Sequence, residues 1–140
     1  MADNYTKFSE VIEYLTEEES KWWEIILNPN SIPNPIRKKC EDAPDDQWPP
    51  FDYVLEDEGT TLWFKSEAYG NVAVLARVVQ EFLKVYRPND FFSLAHAETC
   101  SRPRVGEFGG GAVFVTAKKI RYMHAWTWAA LQRIKFKAKK

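Results

Sequence analysis

With 140 residues, 45% of them hydrophobic and 15% aromatic, the chain can enclose one core and is too short for two ordinary domains, so residues 1–140 are expected to form a single domain. Two cysteines in unrelated contexts, Cys40 and Cys100, argue against a disulfide framework or a zinc knuckle and suit a reducing, cytoplasmic setting. The net charge of −1 conceals a division: residues 1–100 hold 9 basic and 19 acidic side chains, for −10, while residues 101–140 hold 10 basic and one acidic, for +9.

The opening "MADNYTKFSE" lacks the basic start and apolar middle of a signal peptide, and no apolar run approaches the roughly 20 residues of a membrane span, so a soluble protein is expected. Residues 5–14, rich in aromatic and β-branched types with partial alternation, predict a first strand. Thr16, with Glu19 three positions on, forms a capping box that opens a helix running to about Leu27, with Trp22, Trp23, Ile26 and Leu27 as its core side. Residues 28–50 carry six of the eight prolines and the acidic run "EDAPDDQWPP", which predicts a long surface loop tacked down by Trp48.

Residues 51–68 show two alternating runs joined at Asp57–Gly59, a β-hairpin whose core face is Leu62, Phe64, Ser66 and Ala68. Asn71 caps the most strongly patterned helix, in which Val72, Leu75, Ala76, Val79, Phe82, Leu83 and Tyr86 recur at helical spacing before Pro88 stops it. "FFSLAHAETC" reads as a strand, and "AVFVTA" after three glycines as another. Residues 120–136 predict a terminal helix, and residues 133–140 a basic tail. The order strand, helix, strand, strand, helix, strand matches the split βαβ pattern, so the expected fold is α+β and ferredoxin-like: an antiparallel sheet with an added C-terminal strand and helix.

On a regular strand, His96, Glu98 and Cys100 share one face, and these residue types can ligate zinc or form a nucleophile, base and orienting carboxylate. Their spacing of about 6.5–7 Å is long for a direct Cys–His hydrogen bond. The alternatives are a Cys-dependent hydrolase or transferase using Cys100 with His96 or His124, and a small buried thiol at a strand end. Arg102 and Arg104, on either side of Pro103, can offer two forked guanidinium groups to an anion, or can bridge to Glu98, Glu107 or the acidic loop.

Gly109, Gly110 and Gly111 precede no helix, which excludes a phosphate-binding loop and favours a bulge or wide hairpin. No motif calls for a metal or cofactor. The C-terminal segment combines eight Lys and Arg with Tyr122, Trp126 and Trp128, a mixture suited to phosphate contact and base stacking or to a solvated helix face.

Residues 85–117, with "RPND", "CSRPR" and "EFGGGA", resemble a group of small bacterial and phage or mobile-element proteins with no established activity. The resemblance implies no catalytic residue and is compatible with an accessory role. Together these readings favour a non-catalytic interaction module with a protein partner. Nucleic-acid binding, Cys-dependent catalysis and self-association are its alternatives.

Overall fold

The computed structural model describes residues 3–30, Ile36 and residues 48–139, so most of the proline-rich loop, with Cys40, lies outside the described residues. The chain runs β1 (Asn4–Ile12), α1 (Glu17–Leu27), β2 (Asp52–Glu56), β3 (Thr61–Ser66), α2 (Val72–Tyr86), β4 (Phe91–Cys100), β5 (Gly109–Thr116), β6 (Ile120–His124) and α3 (Ala125–Ala138). The α+β reading holds: six strands form one sheet in the order β2-β3-β1-β4-β5-β6, every neighbouring pair antiparallel.

Alternation along the strands places Phe8 and Ile12, Leu62 and Phe64, Phe92 and Leu94, and Val113 and Val115 on one buried face. Helices α1 and α2 cover that face. Thr16 caps α1 as its sequence predicts, its hydroxyl accepting from the Glu19 amide at 3.1 Å while Glu19 Oε1 accepts from the Thr16 amide at 2.9 Å. Trp23 then meets Phe64 of β3 and Phe82 of α2 at centroid separations of 5.4 and 5.1 Å. Trp48 is buried, and its indole donates to the Ile26 carbonyl at 2.9 Å, which fastens the chain entering β2 onto α1.

Three boundaries differ from expectation. The first strand ends at Ile12, not at residue 14, because the chain turns there: Tyr14 adopts a φ of 60°, and the Glu13 and Tyr14 carbonyls both accept from Arg87 Nη2 at 3.1 Å. The terminal helix begins at Ala125, not at residue 120. Residues 120–124 instead pair with β5, from Ile120 opposite Val115 to His124 opposite Gly111, because the tight turn at 116–119 delivers them directly to a free sheet edge. The strand after the glycines also starts earlier, at Gly109, so the glycines lie within the sheet.

Arg87 closes the structure at the far end of α2. Its Nε donates to Glu19 Oε2 at 2.8 Å, and Nη2 reaches Glu19 Oε1 at 3.4 Å, joining the ends of β1 and α2 to the start of α1. Burial raises the Glu19 carboxyl, but hydrogen bonds from Arg87 and the Thr16 amide, with the guanidinium charge, outweigh it and hold the group below its ordinary value. A carboxyl depressed in the folded state stabilises above the unfolded carboxylate range and loses that stabilisation as pH falls through its folded value. Arg87→Met is expected to cost about 3 kcal/mol at pH 7, since it leaves a buried carboxylate without its cation. In urea titrations the gap between wild type and variant should narrow steadily from pH 5 to pH 3; a gap independent of pH would show that Arg87 acts through packing alone.

Candidate functional site

Strand β5 carries Gly111 between His96 of β4 and His124 of β6, paired with both. Two strands away from each other, the backbones of the histidines stand about 9.5 Å apart. Nothing projects from Gly111 between them, and the imidazoles lean together edge to face with centroids 6.0 Å apart. A Cβ on Gly111 would overlap the Met123 carbonyl, and one on Gly110 would come 2.7 Å from the His96 carbonyl oxygen. The glycines are therefore a steric requirement of close packing at this end of the sheet.

The histidines line a cleft of about 390 Å³ together with Glu98, Tyr122, Thr6 and the small residues Gly70, Val72 and Ala73 at the start of α2. Burial pushes the His96 imidazole below its ordinary value and His124 adds to this, while the Glu98 charge pulls it back up. His96 Nδ1 is enclosed and has no hydrogen-bond partner among the described residues. Burial raises the Tyr122 phenol, with Arg77 pulling the other way, so the phenol keeps its proton at neutral pH. Glu98 and Tyr122 make no side-chain hydrogen bond or ion pair among the described residues. The cleft thus gathers side chains whose polar atoms await partners.

His96, Glu98 and Cys100 do project from one face of β4, yet the cleft takes only the first two. Cys100 lies four residues along from His96, about 13 Å, opposite Asn4 at the strand end. No three His, Cys, Asp or Glu side chains among the described residues are grouped as metal ligands. Arg102 and Arg104 sit exposed in the connection from β4 to β5, where neither forms an ion pair with Glu98 or Glu107. Trp126 turns back to that connection, its indole donating to the Phe108 carbonyl at 2.7 Å. Trp128 stands free on α3, 60% exposed.

Thr6 is a site residue that local patterning missed, and Tyr122, read from the sequence as part of a terminal helix, lies in a strand beside the histidines. Alternation in "IRYMH", with Ile120, Tyr122 and His124 on one face, is the signal that identifies the strand and places Tyr122 beside His124. No protein family, curated protein or solved structure matches this chain.

Two outcomes test this geometry. Gly111→Ala is expected to cost at least about 2–3 kcal/mol through overpacking, whereas Gly106→Ala, at a φ of +82° with open space around it, should cost about 1 kcal/mol; thermal unfolding of both variants measures the difference. In proton NMR titrations Glu98→Gln should lower the His96 midpoint further, and His124→Gln should raise it. Unchanged midpoints would show that these side chains do not face His96.

Proposed function

We propose that the chain is a protein-interaction module that presents α3 to an acidic partner protein, built on a split βαβ, ferredoxin-like unit. In support of that architecture, the first four strands lie in the order β2-β3-β1-β4, so each helical crossover passes over one intervening strand. Strands β5 and β6 extend the sheet beyond β4 and deliver α3 to its side.

The carrying observation is the exposure of α3. It has no buried residue, while Trp128, Leu131, Ile134 and Phe136 are between 49 and 66% exposed. Trp128, Leu131 and Ile134 recur at helical spacing on one side, whereas Phe136 falls on another beside Arg133 and Lys137. Apolar groups on two sides suit enclosure by protein elements better than a flat membrane surface or a phosphate backbone, which would use one face. The charge supplies the partner's sign: α3 and its tail carry Arg133, Lys135, Lys137 and Lys139, and no acidic residue follows Glu107.

Helix α3 has little to hold it in isolation. Fourteen residues are marginal for a free helix, and Arg133 with Lys137 form a like-charged pair one turn apart. Amides beyond Ala130 are therefore expected to exchange far faster than those of α2, and to become protected when the partner binds.

The functional test is capture from a nuclease-treated lysate of the cells that carry the gene, followed by binding of the purified captured protein. Leu131→Glu with Ile134→Glu should weaken the pair about 30-fold, the effect of losing an interface anchor worth about 2 kcal/mol. Lys135→Glu with Lys137→Glu should slow association and reduce its salt dependence. Equal binding by these variants would overturn the reading. So would capture that depends on nucleic acid, or a dimer of the chain alone that the same substitutions dissolve.

A further inference from the structure

The cleft beside His96 does not end at Glu98. Thr6, Gly70 and Glu98 also line a second hollow of about 380 Å³, whose other walls include Tyr5, Tyr69 and Glu107. The two hollows therefore share one rim and form a continuous groove across the end of the sheet. Its charged and aromatic lining is one-sided. Glu98 and Glu107 contribute carboxylates, Tyr69, Tyr122 and two histidines contribute rings, and no lysine or arginine among the described residues lines either hollow, the Lys7 ammonium standing 5.8 Å from the Tyr5 ring at the rim. Neither carboxylate has an ion pair among the described residues, although Arg102 and Arg104 belong to the same connection as Glu107.

We infer that this groove binds a linear alkylammonium chain, as found in a free polyamine or in the lysine side chains of a basic peptide, with Glu98 and Glu107 as counter-charges and the tyrosine and histidine rings against the methylenes. Methylene segments match an apolar, ring-lined wall, and ammonium groups gain both from carboxylates and from the faces of tyrosine rings. Gly70 packs tightly against the core beneath the groove; a Cβ there would strike Phe8 and Ser66. A compact metal ion is a poorer match, because the carboxylates are not joined by a third ligand.

The groups facing the ligand also set its pH dependence. Burial raises the Tyr122 phenol, which stays neutral, and lowers the His96 imidazole, which favours its uncharged form near neutrality. The Arg77 charge on α2 acts on Tyr122 and the start of α2 lies at Val72 and Ala73; both bring positive potential to that end, so the ammonium groups belong toward Glu98 and Glu107. Protonation of His96 as pH falls would add positive charge beside Glu98 and weaken binding.

Isothermal titration of the full chain with spermidine, and separately with a short lysine-containing peptide, tests this at low ionic strength. Saturable binding is expected for at least one probe. Glu98→Gln should weaken it roughly tenfold and Glu98→Gln with Glu107→Gln roughly a hundredfold, as charge-assisted contacts are lost. Binding should also weaken from pH 8 to pH 5.5, and the fully acetylated, uncharged analogue of spermidine should not bind. Both glutamates lie at the surface, so unchanged thermal unfolding of the variants will confirm that the fold is intact. Tighter binding of spermidine assigns a free polyamine, and tighter binding of the peptide assigns a basic protein segment; either upholds the shared chemistry. Ile134→Glu on α3 should leave the affinity unchanged, which separates this site from the α3 interface. Absence of saturable binding by both probes, or binding that the double variant does not alter, overturns the inference.

Discussion

Trp23, Phe64 and Phe82 close an aromatic knot at which α1, β3 and α2 meet, each of the three rings wholly buried. Edge and tilted ring contacts add to the large area that such side chains remove from water. Both crossover helices direct their apolar faces to this knot and to the sheet beneath it. Nothing remains of α1 or α2 to cover the opposite sheet face, where Phe91 and Phe114 stack on each other in the open. The position of the core thus determines which surfaces stay unpartnered, and α3, added after both helices, lies outside it.

The candidate groove arises from a different constraint, close packing at the end of the sheet where side chains run out. Gly109, Gly110 and Gly111 keep β5 narrow between β4 and β6. Trp126 and Glu98 press against the position where a Cβ on Gly109 would stand, and the paired histidines lean over Gly111. A strand that lacks side chains on its inner face cannot be filled by the core, so the space above it stays accessible. Polar groups from neighbouring strands then line that space, the two imidazoles edge to face and Glu98 and Tyr122 without a side-chain hydrogen bond among the described residues.

Most elements were legible because they follow from local rules. The capping box at Thr16 and Glu19, the Asn71 cap and the apolar spacing of α2 are recorded in adjacent residues, and each formed as those rules require. The segment from Ile120 to His124 was not, since its residues suit a helix or a strand and the free edge of β5 decided between them. In the same way His96, Glu98 and Cys100 were correctly placed on one face, but only the path of β1 and β6 separates Cys100 from the cleft and brings His124 and Tyr122 to it.

By itself the sequence determined the α+β class, the buried faces of α1 and α2, the order of the elements as far as β5 and the concentration of positive charge after residue 100, because periodicity, caps and composition are properties of neighbouring residues. Tertiary structure alone decided that Arg87 would clamp Glu19 across 68 positions, that the three glycines would join a strand and set Gly111 between two histidines, and that α3 would keep most of its aromatic and basic residues exposed. Those outcomes depend on which distant segments share a sheet edge or a core, and contacts of that range leave no local pattern to read.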